Sequence, residues 1–347
     1  MRWTDRIPAL LVALAILTLA ACGDEPEVER QRFLALGTHI EVQTAGAETD
    51  RAQEAIRLVR EDLETLHAGL HPWEAGALAR VNEMLAATGE FTADPGTLEA
   101  LAVSRPLYQD SDGLFNPALG KLADAWGFHQ ETPDGPPPDD EAIQDILDAE
   151  PSPEDIEVDG VRMTNDNPEV QLDFGGVAKG MGVDHAVKLL REQGVENAIV
   201  NAGGDLRAYG DRGDRPWRVG IRDPRGEDVL AGLTIEGDEA VFTSGDYERH
   251  YEHDGKRYHH LLDPRTGRPA RGVTSVTVIH DEGATADAAA TALFVADDDQ
   301  WPRIAKQMGI EAVLRVDDEG VLHMTPAMAE RLELEKDGAT TRTVELP

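Results

Sequence analysis

The sequence is poor in cysteine and in positive charge. Its 347 residues include one cysteine, which excludes an intrachain disulfide framework and any zinc or iron–sulfur site built from several cysteines. Lysine and arginine together number 32 against 67 aspartate and glutamate residues, and the formal net charge is −35. Because nucleic-acid binding needs clustered cations that neutralise phosphates, this balance argues against a nucleic-acid partner.

The chain is nonetheless apolar enough to fold. Hydrophobic residues make up 41% of it, which argues against a wholly disordered chain. The length suits one large domain or two of ordinary size. An acidic surface repels phosphates, so for a phosphate-bearing ligand we expect a divalent cation as mediator.

The first residues are typical of a secretion signal. Two arginines precede an uncharged apolar run over 9–21, which is too short to cross a hydrocarbon core of ~30 Å and suits the hydrophobic region of a signal peptide. The run ends in a segment, 19–23, that resembles the bacterial lipobox, and the single cysteine, Cys22, stands at its lipid-attachment position. An ordinary signal peptide or a buried helix is the alternative.

These features predict the organisation of the chain. We expect a lipoprotein signal peptide at 1–21, a polar tether at 22–31 after a lipidated Cys22, a folded domain at 32–335 and a tail at 336–347. The mature protein would lie on the periplasmic side of a bacterial membrane, held there by lipid.

Helical and strand patterns alternate irregularly along the folded part. Apolar residues at helical spacing predict a helix over 52–70, whereas 273–279 reads as a strand followed by helices at 284–295 and 301–308. No regular strand–helix–strand repeat is present. We therefore predict an α+β fold with a mixed β-sheet core and packed helices, rather than a doubly wound fold.

The segment 170–180 carries the first chemical motif. A short apolar strand delivers Asp173, two glycines follow, and a helix begins with Lys179 in its first turn. Free N–H groups at a helix start suit a phosphate, and the lysine would add a full positive charge. The alternative is a tight strand-to-helix turn with a surface lysine.

Two further motifs carry candidate polar groups. Asp287 and Thr291 stand four residues apart, so on a helix their oxygens share one face and suit Mg²⁺. His260 precedes a turn signature that starts at Asp263, and a histidine there could accept a proton from a hydroxyl. The alternatives are an ordinary helix-start charge and an ordinary hydrogen-bonded histidine.

Eight short blocks, in order along nearly the whole chain, resemble those of the ApbE-type flavin transferases (FAD:protein FMN transferases). The blocks are 36–38, 76–82, 113–120 with 126–128, 173–180, 203–205, 243–247, 260–267 and 286–287. The likeness implies an ApbE-like fold and a periplasmic, often lipid-anchored enzyme. Such an enzyme splits FAD with Mg²⁺ and transfers FMN to a Thr or Ser hydroxyl of a target protein, releasing AMP.

The resemblance also implies a target and site residues. The target would be a subunit of a membrane electron-transport complex. His260 would assist the attacking hydroxyl, Asp287 would act in catalysis, and the cation would be held by Asp287, Thr291 and the carbonyl of Gly176. Asp173 and Asn116 would bind adenine or ribose, and Lys179 would face phosphate. The residues expected to line the FAD site are Leu36, Trp73, Leu114, Phe115, Asn116, Asp173, Lys179 and Leu262.

Some positions depart from the family pattern. Asn116 and Ala118 replace a carboxylate and a hydroxyl, and Ala290 replaces an aspartate that some relatives carry. Two other functions remain open: an Mg²⁺-dependent FAD pyrophosphatase, in which water replaces the target hydroxyl, and a lipoprotein that binds FAD without turnover.

Overall fold

The computed structural model describes residues 28–130, 132–336 and 338–347. The predicted signal peptide, Cys22 and the first part of the predicted tether lie outside these residues. Among the helices of the described residues, none combines the length and the apolar character needed to cross a bilayer.

The helices and strands of the described residues have the following bounds. The helices are α1 Thr49–Leu70, α2 Ala77–Ala87, α3 Pro95–Asp110, α4 Gly120–Ala125, α5 Asp140–Asp148, α6 Ala178–Glu192, α7 Gly283–Val295, α8 Trp301–Gln307 and α9 Pro326–Arg331. The strands are β1 Val28–Ala35, β2 Thr38–Ala45, β3 Gly89–Thr92, β4 Ile156–Asp159, β5 Arg162–Asn165, β6 Ala198–Ala202, β7 Asp205–Tyr209, β8 Arg218–Arg222, β9 Val229–Thr234, β10 Asp238–Gly245, β11 His250–His253, β12 Lys256–His259, β13 Leu262–Asp263, β14 Arg268–Pro269, β15 Val273–His280, β16 Ala312–Asp317, β17 Leu322–Met324, β18 Leu332–Leu334 and β19 Thr341–Thr343.

A central sheet organises the molecule. Within the described residues its strand order is β1-β2-β6-β7-β10-β15-β16-β17-β19, antiparallel throughout except for the parallel pair of β17 and β19. Helices α1, α6 and α7 cover one face, while β8, β9, β18 and α9 cover the other. The predicted α+β fold with a mixed sheet is confirmed.

The middle of the sheet is buried on both faces. Strand β15 is apolar or hydroxylated over Val273–Ile279 and buried throughout, because side chains that alternate between the faces meet a covering layer on either side. Helix α7 is rich in alanine and buried almost all round. Small side chains allow α7 to lie close to both the sheet and α6.

One end of this sheet collects the turns that build a site. The β1–β2 turn at Leu36, the β6–β7 turn at Gly203 and the end of β10 at Gly245 all lie there, because neighbouring strands run antiparallel. The predicted helix that begins within 170–180 is α6, and the predicted helix over 284–295 is α7. Both reach this end of the sheet. The strand predicted before Asp173 is absent from the described residues, because Gln171 forms only an isolated bridge with Leu119 and the chain then turns directly into α6.

Both termini of the described chain extend the sheet further than we expected. Val28–Gln31, the last part of the predicted tether, pair with β2, and β19 lies inside the predicted tail. The charged residues of β1 interrupt the alternation of apolar and polar residues that predicts a strand. In the structure, two of them, Arg30 and Arg32, form ion pairs with Glu41 on the neighbouring strand. A polar edge strand has the composition of a linker.

A small separate core supports the segments beside the site. It joins α4, α5 and the hairpin of β11 and β12 through buried side chains, half of them aromatic. The buried members are Leu122, Trp126, Phe128, Ile143, Ile146 and Tyr251. This core anchors the hairpin, and the chain continues from its second strand into His260.

Candidate active site

The closest helix contact in the site is between α6 and α7. A Cβ placed on Gly180 would lie 2.3 Å from the carbonyl oxygen of Gly283, and one placed on Gly283 would lie 2.7 Å from the carbonyl oxygen of Gly180. Backbone cannot move aside as a flexible side chain can, so both positions require glycine. The two helices therefore meet backbone to backbone.

This contact brings together the three residues predicted to hold a cation. Asp287 Oδ2 accepts a hydrogen bond from Gly180 N at 3.0 Å, and Thr291 follows one turn later on the same face of α7. A Cβ on Gly176 would lie 3.4 Å from Thr291 Oγ1. The start of α6 and the 287–291 face of α7 form one site.

Lys179 has a partner that the sequence did not suggest. Its ammonium forms an ion pair with Asp205, whereas we expected it to face a phosphate directly. The other oxygen of that carboxylate, Asp205 Oδ1, accepts from Thr243 N at 2.9 Å. Burial lowers the pKa of Lys179, but the carboxylates of Asp205, Asp287 and Glu248 outweigh burial and raise it overall, so the lysine stays charged.

The positive charge near the carboxyl of Asp287 does not balance its burial and the neighbouring carboxylates. Burial raises its pKa to about 7; Lys179 and the Gly180 N–H oppose the rise, while Asp205 and Glu248 add to it. Asp287 is 5% exposed, and a buried carboxylate in such company favours a further cation. The surroundings of Asp287 thus suit a divalent metal ion.

The available donors define which metal fits. Within the described ranges no group of three or more His, Cys, Asp or Glu side chains is placed to hold a metal. The site offers instead one carboxylate, the hydroxyl of Thr291 with Ser244 Oγ at 3.3 Å from it, and the nearby backbone of Gly176. Such hard oxygen donors suit Mg²⁺, which commonly completes its shell with water and substrate phosphate.

The start of α6 is less open to phosphate than predicted. Gly175 N donates to Asp173 Oδ1 at 2.8 Å, and Val177 N and Ala178 N donate to Phe174 O at 2.9 and 2.8 Å. Gly180 N is bound to Asp287. Because these N–H groups are satisfied inside the protein, the helix start orients Asp173 and Asp287 rather than presenting a bare anion site.

Asp173, at the start of α6, and Arg249, in the segment before the β11–β12 hairpin, lie close enough for their charges to interact. Burial raises the pKa of Asp173, while its bond from Gly175 N and the charges of Arg249 and His71 oppose the rise. Burial also lowers the pKa of Arg249, with Asp173 acting against it. Arg249 Nη2 donates to Gln130 O at 3.0 Å, which ties the segment before the hairpin to the loop after α4.

His260 is held by the same segment. Its backbone N donates to Arg249 O at 3.0 Å, and its Nδ1 lies 3.2 Å from that oxygen. Since a carbonyl can only accept, Nδ1 carries the proton and Nε2 has a free lone pair for another donor. Burial lowers the pKa of His260 to about 3, helped by the charges of His259, Arg249 and Lys179.

Aromatic side chains line this side. Trp73 packs on His129 with ring centroids 5.9 Å apart, and Phe128 meets His260 edge to face at 6.4 Å. Aromatic faces of this kind can accept a planar ring system. Trp73 thus lies beside the loop that carries His129 and Gln130, the loop to which Arg249 is bound.

The structure gives three other predicted FAD residues roles within the protein. Asn116 Nδ2 donates to Pro151 O at 2.9 Å and its Oδ1 accepts from Ala118 N at 2.9 Å, so this side chain shapes its own loop rather than offering itself to adenine. Leu114 and Phe115 are buried in the main core. The Phe115 ring lies beside Gly176, 3.3 Å from where a Cβ would stand.

The remaining predicted residues, Leu36 and Leu262, are half-buried. Leu36 turns the chain between β1 and β2 at φ +52° and packs on α6, where a Cβ on Gly182 would lie 2.5 Å from it. Leu262 packs against the small separate core. Asp263, at the turn beyond, binds Arg265 at 2.9 Å and does not serve His260.

Sequence reasoning assigned no role to Asp205, Ser244 or Arg249. The sequence around the first two reads as glycine-flanked turns at strand ends, and the structure places Asp205 at the start of β7 and Ser244 near the end of β10. That pattern was visible in the sequence, but it did not show which residues they contact. Arg249 lies in no motif. Their partners are distant in sequence, so only the folded chain identifies them.

Comparison with known proteins gives the same picture. A profile described as the ApbE family matches residues 36–314. The FAD:protein FMN transferase of Rhodobacter capsulatus is 42% identical over 324 residues, with 93% of this chain and 62% of that protein covered. The FAD:protein FMN transferase of Vibrio cholerae is 32% identical over 324 residues, with 89% and 94% covered.

Solved structures share the fold over nearly their whole length. The ApbE protein of Thermotoga maritima superposes with a TM-score of 0.80 at 30% identity, covering 88% of this chain and 99% of that one. The flavin transferase ApbE from Vibrio cholerae superposes with a TM-score of 0.77 at 27% identity, with the same coverage. By profile, sequence and fold, this chain belongs to the ApbE family.

Proposed function

We propose that the protein is an FAD:protein FMN transferase that uses Mg²⁺ and modifies a Thr or Ser hydroxyl of a target protein. The observation that carries the proposal is the contact between the start of α6 and the 287–291 face of α7, which unites Asp287, Thr291 and Gly176. The names of the relatives support the flavin substrate and the protein acceptor.

The reaction exchanges one phosphorus–oxygen bond for another. The acceptor hydroxyl attacks the phosphorus of the FMN half, the diphosphate bond breaks, and AMP leaves with the bridging oxygen. The hydroxyl proton passes to a base. Bound Mg²⁺ would neutralise negative charge that develops on the phosphate oxygens.

The chain's own residues position these groups. Asp287 and Thr291, with the Gly176 carbonyl, would hold the cation, while Lys179 keeps a positive charge behind it through its pair with Asp205. Trp73 would pack on a planar part of FAD. Binding and charge neutralisation supply most of the rate in phosphoryl transfer, so positioning is the main task of the protein.

His260 would take the proton from the attacking hydroxyl. Its Nδ1 is engaged with Arg249 O, which leaves Nε2 as the accepting atom. Without substrate, burial holds the pKa of His260 at about 3. An anionic diphosphate bound nearby would raise that pKa towards neutrality, because opposite charge stabilises the imidazolium.

We further propose that the protein is lipid-anchored through Cys22 on the periplasmic side of the membrane, where a subunit of an electron-transport complex would be the target. This rests on the sequence of residues 1–23. The test is the distribution of Cys22→Ser between membrane and soluble fractions. The variant should be released, and retention at the wild-type level would reject the anchor.

The decisive experiment weighs an acceptor protein. Purified protein, FAD and Mg²⁺ are incubated with a flavin-acceptor domain that carries the target threonine, and the acceptor is measured by intact-mass spectrometry. We expect a gain of one FMN less water. Matched controls are the acceptor with Thr replaced by Ala, chelation of the metal, and Asp287→Ala.

The same experiment separates the alternatives. Release of FMN and AMP with an unchanged acceptor mass would identify an FAD pyrophosphatase. FAD binding without any turnover, and without any effect of Mg²⁺, would identify a flavin-binding lipoprotein. Either outcome would replace the transferase proposal.

A further inference from the structure

The start of α7 is capped by a side chain from another helix. Asp184, on α6, accepts from Gly283 N at 2.8 Å through Oδ1 and from Ala284 N at 3.0 Å through Oδ2. The residue that precedes the helix in sequence, Glu282, makes no side-chain cap bond. One carboxylate therefore satisfies the first two backbone donors of α7 and lies at the positive end of its dipole.

The carboxylate of Asp184 is itself held from the central sheet. Arg207 on β7 donates from Nη1 to Asp184 Oδ1 at 2.6 Å, and from Nε and Nη2 to Asp238 at 2.9 and 3.0 Å. The Arg207 side chain is 13% exposed. A mostly buried, planar guanidinium bridging two carboxylates fixes their geometry.

Each of the two helices thus supplies a carboxylate that accepts a hydrogen bond from the backbone of the other. Asp184 of α6 binds the start of α7, and Asp287 of α7 binds Gly180 N in the first turn of α6. Between the two bonds lies the backbone contact of Gly180 with Gly283. Sliding or rotating α7 along α6 would break both bonds and move Asp287 and Thr291 together.

We propose that Asp184 is a positioning residue for the cation site. Through the Arg207-supported cap it fixes the position of α7 on α6, so that Asp287 and Thr291 face Gly176. The inference rests on the proposed function and adds to it a residue that touches neither metal nor substrate. Residues that orient ligands in this way typically change metal affinity about 10- to 100-fold when removed.

A cap elsewhere in the molecule separates positioning from plain stability. Asp94 caps α3 by accepting from Thr97 N at 3.0 Å and has no contact with the site. Asp94→Ala and Asp184→Ala each remove one capping carboxylate. Asp184→Asn is a milder change. The amide oxygen of the new side chain can still accept one N–H bond, but the negative charge that faces Arg207 is lost.

The test measures metal binding directly. Mn²⁺ is titrated into the full-length protein with FAD present and followed by electron paramagnetic resonance, with Tm recorded for each variant. We expect Asp184→Ala to weaken Mn²⁺ binding at least about tenfold, Asp184→Asn to weaken it less, and Asp94→Ala to leave it unchanged while lowering Tm. The Mg²⁺ concentration for half-maximal transfer should shift in parallel.

The outcomes distinguish this inference from the proposed function. If the wild type transfers FMN and both Asp184 variants bind Mn²⁺ within twofold of it, Asp184 is only a structural cap. If Asp184→Ala fails to fold, Mn²⁺ binding by Asp184→Asn is compared with that by Asp94→Ala. Weaker binding by Asp184→Asn at a similar loss of Tm supports the inference, and equal binding overturns it. A folded wild type that neither binds Mn²⁺ nor transfers FMN overturns both statements.

Discussion

The two sides of the site are built differently. The helix side, comprising Gly176, Gly180, Asp287 and Thr291, rests on backbone-to-backbone contact between α6 and α7. The loop side, comprising Trp73, Gln130, Arg249 and His260, depends on ring contacts and on a few hydrogen bonds. Arg249 is bound to Gln130 O, and His260 is bound to Arg249 O through its backbone N and Nδ1. Close packing resists displacement, whereas a few exposed hydrogen bonds open at little cost.

The difference fits the two tasks of the proposed reaction. Phosphoryl transfer requires its metal and phosphate groups at defined distances, so the helix side has to be rigid. A folded acceptor protein must also bring a hydroxyl to the phosphorus, which requires a side that can adjust. We therefore expect changes on the helix side to abolish function or folding, and changes on the loop side to alter substrate binding.

Asp287→Ala tests the helix side with the largest expected effect. Loss of the cation's carboxylate should reduce the transfer rate on the order of 10²- to 10³-fold, because charge on the phosphate oxygens would lose its counter-ion. The rate of acceptor mass gain measures this. Thr291→Ser, which keeps a hydroxyl oxygen as a ligand, is the matched control. Activity close to the wild type in Asp287→Ala would show that Asp287 does not hold the cation.

Gly180→Ala tests the rigidity of the same side. Its Cβ would lie 2.3 Å from a backbone oxygen, and the forced separation of α6 from α7 should lower the free energy of unfolding by about 3 kcal/mol. Urea denaturation measures the change. Gly69→Ala, on α1 with no atom within 4 Å of the added Cβ, is the control and should be neutral or slightly stabilising.

Equal stability of the two glycine variants would show that the α6–α7 contact is soft. The proposed contrast between the two sides would then have no basis in packing. It would also weaken the inference about Asp184, because a loose contact does not need a cap to hold its position.

Acid should loosen the support of the loop side. His259, at the end of β12, bonds through Nε2 to Ala270 O at 2.9 Å, and its Nδ1 is buried without a hydrogen-bond partner among the described residues. Burial lowers its pKa from the usual 6.5 to about 4. Between these two pH values the imidazole is protonated in the unfolded chain and neutral in the folded chain. Stability therefore falls as the pH drops through this window, by about 2 kcal/mol at pH 5.

His259→Gln should remove this particular dependence. The measurement is the difference in free energy of unfolding between pH 7 and pH 5 for wild type and variant, from urea denaturation. Other groups titrate equally in both proteins and cancel. An identical pH dependence would show that His259 is not the source of the acid sensitivity.

Arg249→Gln should give the smallest effect. The residue as a whole is exposed, although its guanidinium is partly shielded from water near Asp173. Among the described residues it makes one hydrogen bond, to Gln130 O, so its loss should change the free energy of unfolding by less than about 1 kcal/mol. The Michaelis constant for FAD should rise several-fold while kcat changes little. Lys256→Gln, at the exposed far end of the same hairpin, controls for lost positive charge, and a loss of stability as large as that of Gly180→Ala would overturn the contrast.

Local sequence was sufficient for the elements that carry the site. Helical spacing alone placed Asp287 and Thr291 on one face of α7, because a helix repeats every 3.6 residues whatever surrounds it. The glycine turn and the helix after Asp173 were readable for the same reason, whereas the strand predicted before Asp173 was wrong, since Gln171 forms only an isolated bridge with Leu119. Turn residues and periodicity act over a few neighbours, which a sequence displays directly.

Tertiary structure decided which of these groups meet and which are already engaged. Lys179 pairs with a carboxylate 26 residues away and Gly180 N with one 107 residues away, and no local pattern encodes either choice. Asn116 could have faced a ligand, but its side chain binds Pro151 O and Ala118 N instead. Periodicity fixes the face on which a side chain lies, whereas its partner depends on how helices and strands distant in sequence pack together.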